Sequence, residues 1–280
     1  MKYTLSILIG ILPLAGTAFA QQRPLATEDP ECIGGGRVLI DGGVDYGRDQ
    51  FFPASGLTGH LLRVPLIGVA VGLSSIAQLE ITGGFHNRLT ITERRAAPLA
   101  DMLDVTGGTT TDVEDVVVGT KIRVVAEAAG RPAFGVRFAT RLPNARNESG
   151  LGLDTTDFLA TVLAAKTVQS IRVVGNVGVG ILGDPIRGDR QNDVLLLGLS
   201  VARAMTSEIE LVGEVNGRAN TRSGPAPVGT ESRGTMRLGA RYTRGALRLD
   251  SAMLVGMTTR DPSIGITAGF TYVFNAFRVP

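Results

Sequence analysis

The side chains best equipped for chemistry in this 280-residue sequence are its arginines; of 28 basic residues, only Lys2, Lys121 and Lys166 are lysines. A guanidinium stays charged and offers a planar fork of donors that matches a carboxylate or phosphate bidentately. The arginines recur in alternating segments. Phe134, Val136 and Phe138 interleave with Arg137, Ala139 and Arg141, and Leu238, Ala240 and Tyr242 with Arg237, Gly239 and Arg241. Successive side chains of a strand point to opposite faces, so each such segment has one greasy and one charged side. At that parity eleven bases share the polar faces: Arg63, Arg88, Lys121, Arg123, Arg137, Arg141, Arg172, Arg218, Arg237, Arg241 and Arg248. Six acids join them: Asp41, Asp45, Glu80, Glu210, Glu214 and Asp250. A basic lumen attracts anions, because low-dielectric walls focus the field along it. Alternatively, the acids pair with the arginines and fill the interior. Both readings stay open. The solute-path candidates are Arg123, Arg137, Arg141, Arg172, Arg237, Arg241 and Glu214.

Other reactive groups are sparse. His60 and His86 are the only histidines, no serine sits in a Gly-x-Ser-x-Gly elbow, and His86 falls on the polar face of its segment. A membrane-embedded hydrolase is therefore the weaker alternative, no catalytic residue is assigned, and the chain is expected not to be an enzyme. Two histidines and one cysteine without ligand spacing give no metal site. Asp184 and Asp189 lack a complete calcium loop, and Gly34-Gly35-Gly36 lacks the strand–helix context of a phosphate loop. No cofactor is expected. Cys32, the only cysteine, excludes an internal disulfide.

These residues must be positioned by strands. Alternation and turn residues together predict twelve, near 37–48, 60–73, 77–92, 113–128, 131–142, 156–167, 170–182, 192–205, 208–219, 233–244, 246–258 and 263–275. Their connections alternate between short turns such as Ala129-Gly130 and long polar loops such as Glu93–Asp112, Pro143–Thr155 and Asn220–Ser232. Outer-membrane barrels are built this way. So many charges on one face would be intolerable in a dry core, which places the greasy face outside. The expected fold is all-β: a transmembrane antiparallel up-and-down β-barrel of about twelve strands, with both termini periplasmic. Val64 to Leu79, the best candidate for a helical span, contains Pro65 and falls short of the roughly 20 apolar residues needed.

The ends agree. Lys2, the apolar run Leu5 to Ala15 and Ala18-Phe19-Ala20 form a secretory signal cleaved after Ala20. The last strand alternates Ile264, Ile266, Ala268, Phe270, Tyr272 and Phe274 with small or polar residues, and ends on an aromatic for the barrel-assembly machinery to recognise. The division expected is signal peptide 1–20, periplasmic lead 21–36, barrel 37–277 and tail 278–280. Without Lys2 the chain carries 27 bases against 26 acids, and no basic block points to nucleic acid.

From about residue 113 onward the chain resembles the outer-membrane barrel transporters associated with meta-pathway phenol degradation. The matching pieces are Asp115 with Gly119-Thr120-Lys121, Arg131-Pro132-Ala133, Arg141-Leu142-Pro143, Thr156-Asp157, Asn176-Val177-Gly178, Glu214, Arg241-Tyr242 and Gly269-Phe270-Thr271-Tyr272-Val273-Phe274. The resemblance implies a twelve-stranded barrel moving small, often hydrophobic or aromatic, molecules. The sequence departs from the family pattern at Asn144-Ala145 and in the extension Asn275 to Pro280. The leading reading is a passive channel in the outer membrane of a Gram-negative bacterium. Its partners would be outer-membrane lipid and small anionic or aromatic solutes. The alternative is a closed structural or adhesive barrel acting through its long loops.

Overall fold

A computed structural model describes residues 23–278; the expected signal peptide lies outside the described residues. In chain order the strands are β1 (Arg37–Phe52), β2 (Leu57–Gly72), β3 (Ala77–Gly84), β4 (Asn87–Arg94), β5 (Thr109–Asp112), β6 (Val117–Val125) and β7 (Ala133–Arg141). They continue as β8 (Asp157–Val168), β9 (Ile171–Gly183), β10 (Gln191–Ala204), β11 (Ile209–Asn220), β12 (Arg233–Arg244), β13 (Leu247–Gly256) and β14 (Ile264–Asn275). Every pairing is antiparallel, and β1 closes on β14 from Arg37↔Asn275 to Arg48↔Ile264. β3 with β4, and β5 with β6, each make one interrupted stave, so the closed barrel has twelve staves. Among the described residues no helix is long and apolar enough to cross a membrane.

The barrel is inside-out relative to a soluble one. Leu238 is 66% exposed, Phe138 55% and Ile266 53%, whereas Thr271 is 2% and Arg241 8% exposed. Apolar side chains cover the outside, as hydrocarbon demands, and the backbone polar groups satisfy one another around the closed ring. Tyr272 and Phe274 stack on one face, with ring centroids 5.9 Å apart.

Three departures from the sequence reading follow from irregularities in the ladder. The loop expected at 49–59 shrinks to a four-residue turn at 53–56, because a bulge between Gly47 and Gln50, with Asp49 at φ 55°, lets β1 run on to Phe52. The strand expected at 77–92 breaks at Phe85-His86. Opposite the break stands Pro65, which has no N–H for the ladder, and β2 passes there from β3 to β4. The break reverses parity: Gln78 and Glu80 are buried in β3, but Asn87 and Leu89 in β4. Arg88 and His86, expected to face inward, are exposed. The strand expected at 113–128 shortens to β6, which pairs with β3, while β5 forms inside the loop expected at Glu93–Asp112 and pairs with β4.

The parity reversal gives the long-loop end an apolar interior. Leu57, Leu61 and Leu89 are buried there, with Phe52, Ile91, Leu103 and Leu151 against them. Each fully buried leucine contributes roughly 1.5–3 kcal/mol. The loops 95–108 and 142–156 fold over this cluster: Asp104 N–H donates to Glu148 O at 2.9 Å, and Ser55 Oγ to Gly150 O at 2.8 Å. Gly150 has φ +78°, and a Cβ there would sit 2.6 Å from Leu57 Cδ1, so only glycine fits.

Candidate functional site: a strapped lumen

Residues 23–36 do not trail away from β1. They cross the lumen as a strap whose contacts are with inward-facing side chains of the wall. Glu214, on β11, is the main clasp. Its carboxylate accepts Ala26 N–H at 2.8 and 2.9 Å, Thr27 N–H at 2.8 Å and Thr27 Oγ1 at 2.7 Å, and Arg237 Nη1 lies 3.1 Å away. Leu25 packs on Ala202 and Val212. Asn176 Oδ1 accepts Glu28 N–H at 2.7 Å and Asn176 Nδ2 returns a bond to Glu28 O at 2.8 Å. Gly34 and Gly36, at φ +92° and +75°, let the chain turn from the strap into β1.

The strap's acids meet the wall's bases. Glu28 and Glu80 share Lys121 and Arg137: Nζ lies 3.6 and 3.5 Å from them, and Arg137 Nε 3.1 and 2.8 Å. Asp29 receives Arg172 in bidentate fashion, at 2.5 and 2.8 Å, and Glu31 pairs with Arg123. Buried charges persist only when paired and hydrogen-bonded, and these are both. Burial, with Glu80 alongside, pushes the Glu28 carboxyl above its ordinary range. Burial likewise raises the Cys32 thiol, whose Sγ lies 3.3 Å from Ile76 O.

Beside a pocket of 60 Å³ between the strap and the wall at Asp41, Glu80 and Lys121, two larger cavities lie inside the barrel. One, of 240 Å³, lies under the loops at the long-loop end, between the apolar residues Phe52, Leu61 and Leu151 and the side chains of Arg63, Arg141, Arg218 and Arg233. The other, of 340 Å³, reaches the strap at Ala26 and Glu28 and is lined by Arg137, Thr161, Asn176 and Asn216. Arg218 and Arg233 line both.

The seven residues selected from sequence all join ion pairs on the inner wall. Arg123, Arg137 and Arg172 meet the strap's acids; Arg141 pairs with Asp157, Arg237 with Glu214, and Arg241 Nη1 with Glu210 at 3.0 Å. Arg241 also donates to the strap carbonyl of Arg23 at 2.8 Å. Sequence reasoning missed the strap's Glu28, Asp29 and Glu31. Three acids within four residues, just ahead of a basic-faced barrel, were the available signal. It also missed Arg233, which shares the parity of Arg237 and Arg241 but opens its strand.

The fold and this charged, water-accessible interior define an outer-membrane-type β-barrel. No family model matches the sequence, and no curated protein does. A solved outer-membrane channel from Pseudomonas putida F1 is similar in structure, with a TM-score of 0.64 at 12% identity over 88% of this chain and 98% of that one. The translocator domain of autotransporter NalP from Neisseria meningitidis gives a TM-score of 0.48 at 14% identity, covering 86% of this chain and 88% of its own. These likenesses bear on fold alone. The expectation that the chain is not an enzyme is overturned by the same comparison. LpxR of Salmonella typhimurium also matches, with a TM-score of 0.45 at 10% identity, and fold alone leaves the enzyme question undecided.

Proposed function

We propose that this chain is an outer-membrane channel passing small solutes, anionic or aromatic compounds in particular, through an arginine-lined lumen narrowed by its own N-terminal strap. The observation that carries the reading is the succession of cavities, 240 and 340 Å³, inside a closed barrel with an apolar exterior. The resemblance to the phenol meta-pathway transporters supports the aromatic part of the solute class. Arg123, Arg137, Arg141, Arg172, Arg237, Arg241 and Glu214 line the path, and the three strap acids, Glu28, Asp29 and Glu31, set how many of these charges a solute meets. In this reading the protein sits in a Gram-negative outer membrane after signal cleavage at Ala20. Both termini and the short turns face the periplasm, and the strand ending at Phe274 engages the assembly machinery.

A second reading, a closed structural barrel acting through its loops, is favoured by the neutralisation of Arg123, Arg137 and Arg172 by the strap. Planar-bilayer recording separates the two. The mature chain should give small steps with anion-biased reversal potentials in a KCl gradient. The triple variant Glu28→Gln, Asp29→Asn, Glu31→Gln should give larger ones. Silence from both overturns the channel.

A further inference from the structure

Arg218 and Arg233 differ from the arginines around them. The two stand directly opposite each other on β11 and β12. Like charges facing across a ladder are unfavourable. Neither makes an ion pair with any described carboxylate, whereas Arg63, Arg123, Arg137, Arg141, Arg172, Arg237 and Arg241 all do. Arg218 donates to the carbonyls of Glu231 and Gly229 at 2.9 and 2.5 Å, and Arg233 to that of Phe51 at 3.3 Å. Glu231 thus offers its backbone rather than its carboxylate. Arg233 Nε is buried without a partner. Carbonyl bonds hold the guanidinium planes in place, and although Asp157, Glu231 and Asp261 act on the pair through space, none closes an ion pair with it, which suits a fork able to take an oxyanion. The pair borders both cavities, and the upper one adds apolar wall from Phe52, Leu61 and Leu151.

We infer that Arg218 and Arg233 form a binding subsite for the carboxylate of a small organic acid whose apolar body lies against the Phe52–Leu61–Leu151 wall. The assignment deepens the channel reading and rests on it for solute access, but binding itself requires no conductance.

The test is titration of the folded mature protein in detergent with benzoate, with inorganic phosphate and cyclohexanol as companion probes, alongside bilayer recording. Benzoate should bind, phosphate more weakly for lack of an apolar body, and cyclohexanol more weakly for lack of charge. Arg218→Gln and Arg233→Gln should each weaken benzoate binding at least tenfold, with Arg218→Lys retaining part of it. Arg248→Gln should leave it unchanged; Arg248 has no described ion pair either, but it donates to Thr243 near the short turns. Benzoate binding that these variants leave intact, or no binding to a protein that conducts, overturns the subsite. Binding lost in the variants of a protein that never conducts keeps the subsite and removes the channel.

Discussion

Replacing Glu214 by alanine removes the acceptor for Ala26 N–H, Thr27 N–H and Thr27 Oγ1. Glu214 is 4% exposed, so water does not substitute for it while the strap is docked. A hydrogen bond to a charged group contributes about 1.5–3 kcal/mol, and a buried donor left without an acceptor costs about 1–3 kcal/mol. Three coupled donors do not add in full, so the loss to docking of residues 23–27 is about 3–5 kcal/mol. At about 1.4 kcal/mol per decade, the undocked population rises by roughly two to three and a half decades. In bilayers the variant should spend far more time at a higher conductance than the parent, with Glu214→Gln between them, since its amide keeps one acceptor oxygen. The folded band on unheated gels controls for barrel integrity. Parent-like traces from a folded Glu214→Ala protein would refute the idea that this carboxylate clasps the strap.

Other perturbations test neighbouring links. At Gly72 a Cβ would fall 1.8 Å from Gly34 O, so Gly72→Val should displace the strap's base and enlarge the conductance steps. Cys32, with its thiol pKa raised by burial, should react slowly with maleimide at pH 7, because little thiolate is present. In the triple strap variant the pKa falls back and the rate should rise at least tenfold, the contrast fading at pH well above the raised value. Leu238→Arg puts a charge where the exterior is 66% exposed, and should cost about 2–4 kcal/mol in urea-dependent folding into liposomes. A costless substitution there would contradict a lipid-facing exterior.

Strand parity was legible wherever the ladder runs unbroken. The segment expected at 233–244 coincides with β12, and the outward row Ile264, Ile266, Phe270 and Tyr272 came directly from alternation. It failed at Pro65 and Phe85-His86, where a missing donor resets the register of a neighbouring strand, an effect carried by pairing rather than by local sequence. That is why Arg88 was placed on the wrong face. The inner-wall arginines were recognisable one strand at a time. So were the wall partners Glu80, Glu210 and Glu214, but not the strap partners, because Glu28, Asp29 and Glu31 reach the wall through contacts spanning 92 to 143 residues, as in Glu31 with Arg123 and Asp29 with Arg172. Parity counts charges on a face; it does not reveal a segment that lies across that face.

The turn at Gly34–Gly36 gives the strap a short leash. Gly36 N–H bonds Gly72 O at 2.9 Å, and Gly36 O accepts from Ala276 and Phe277, so the leash is moored where the first and last staves meet. A cork tethered this way recloses from an effective concentration of about millimolar, whatever the protein concentration. A free peptide copying residues 23–33 would therefore compete poorly with the tethered original, and resealing would be as quick in a single isolated barrel as in a crowded membrane.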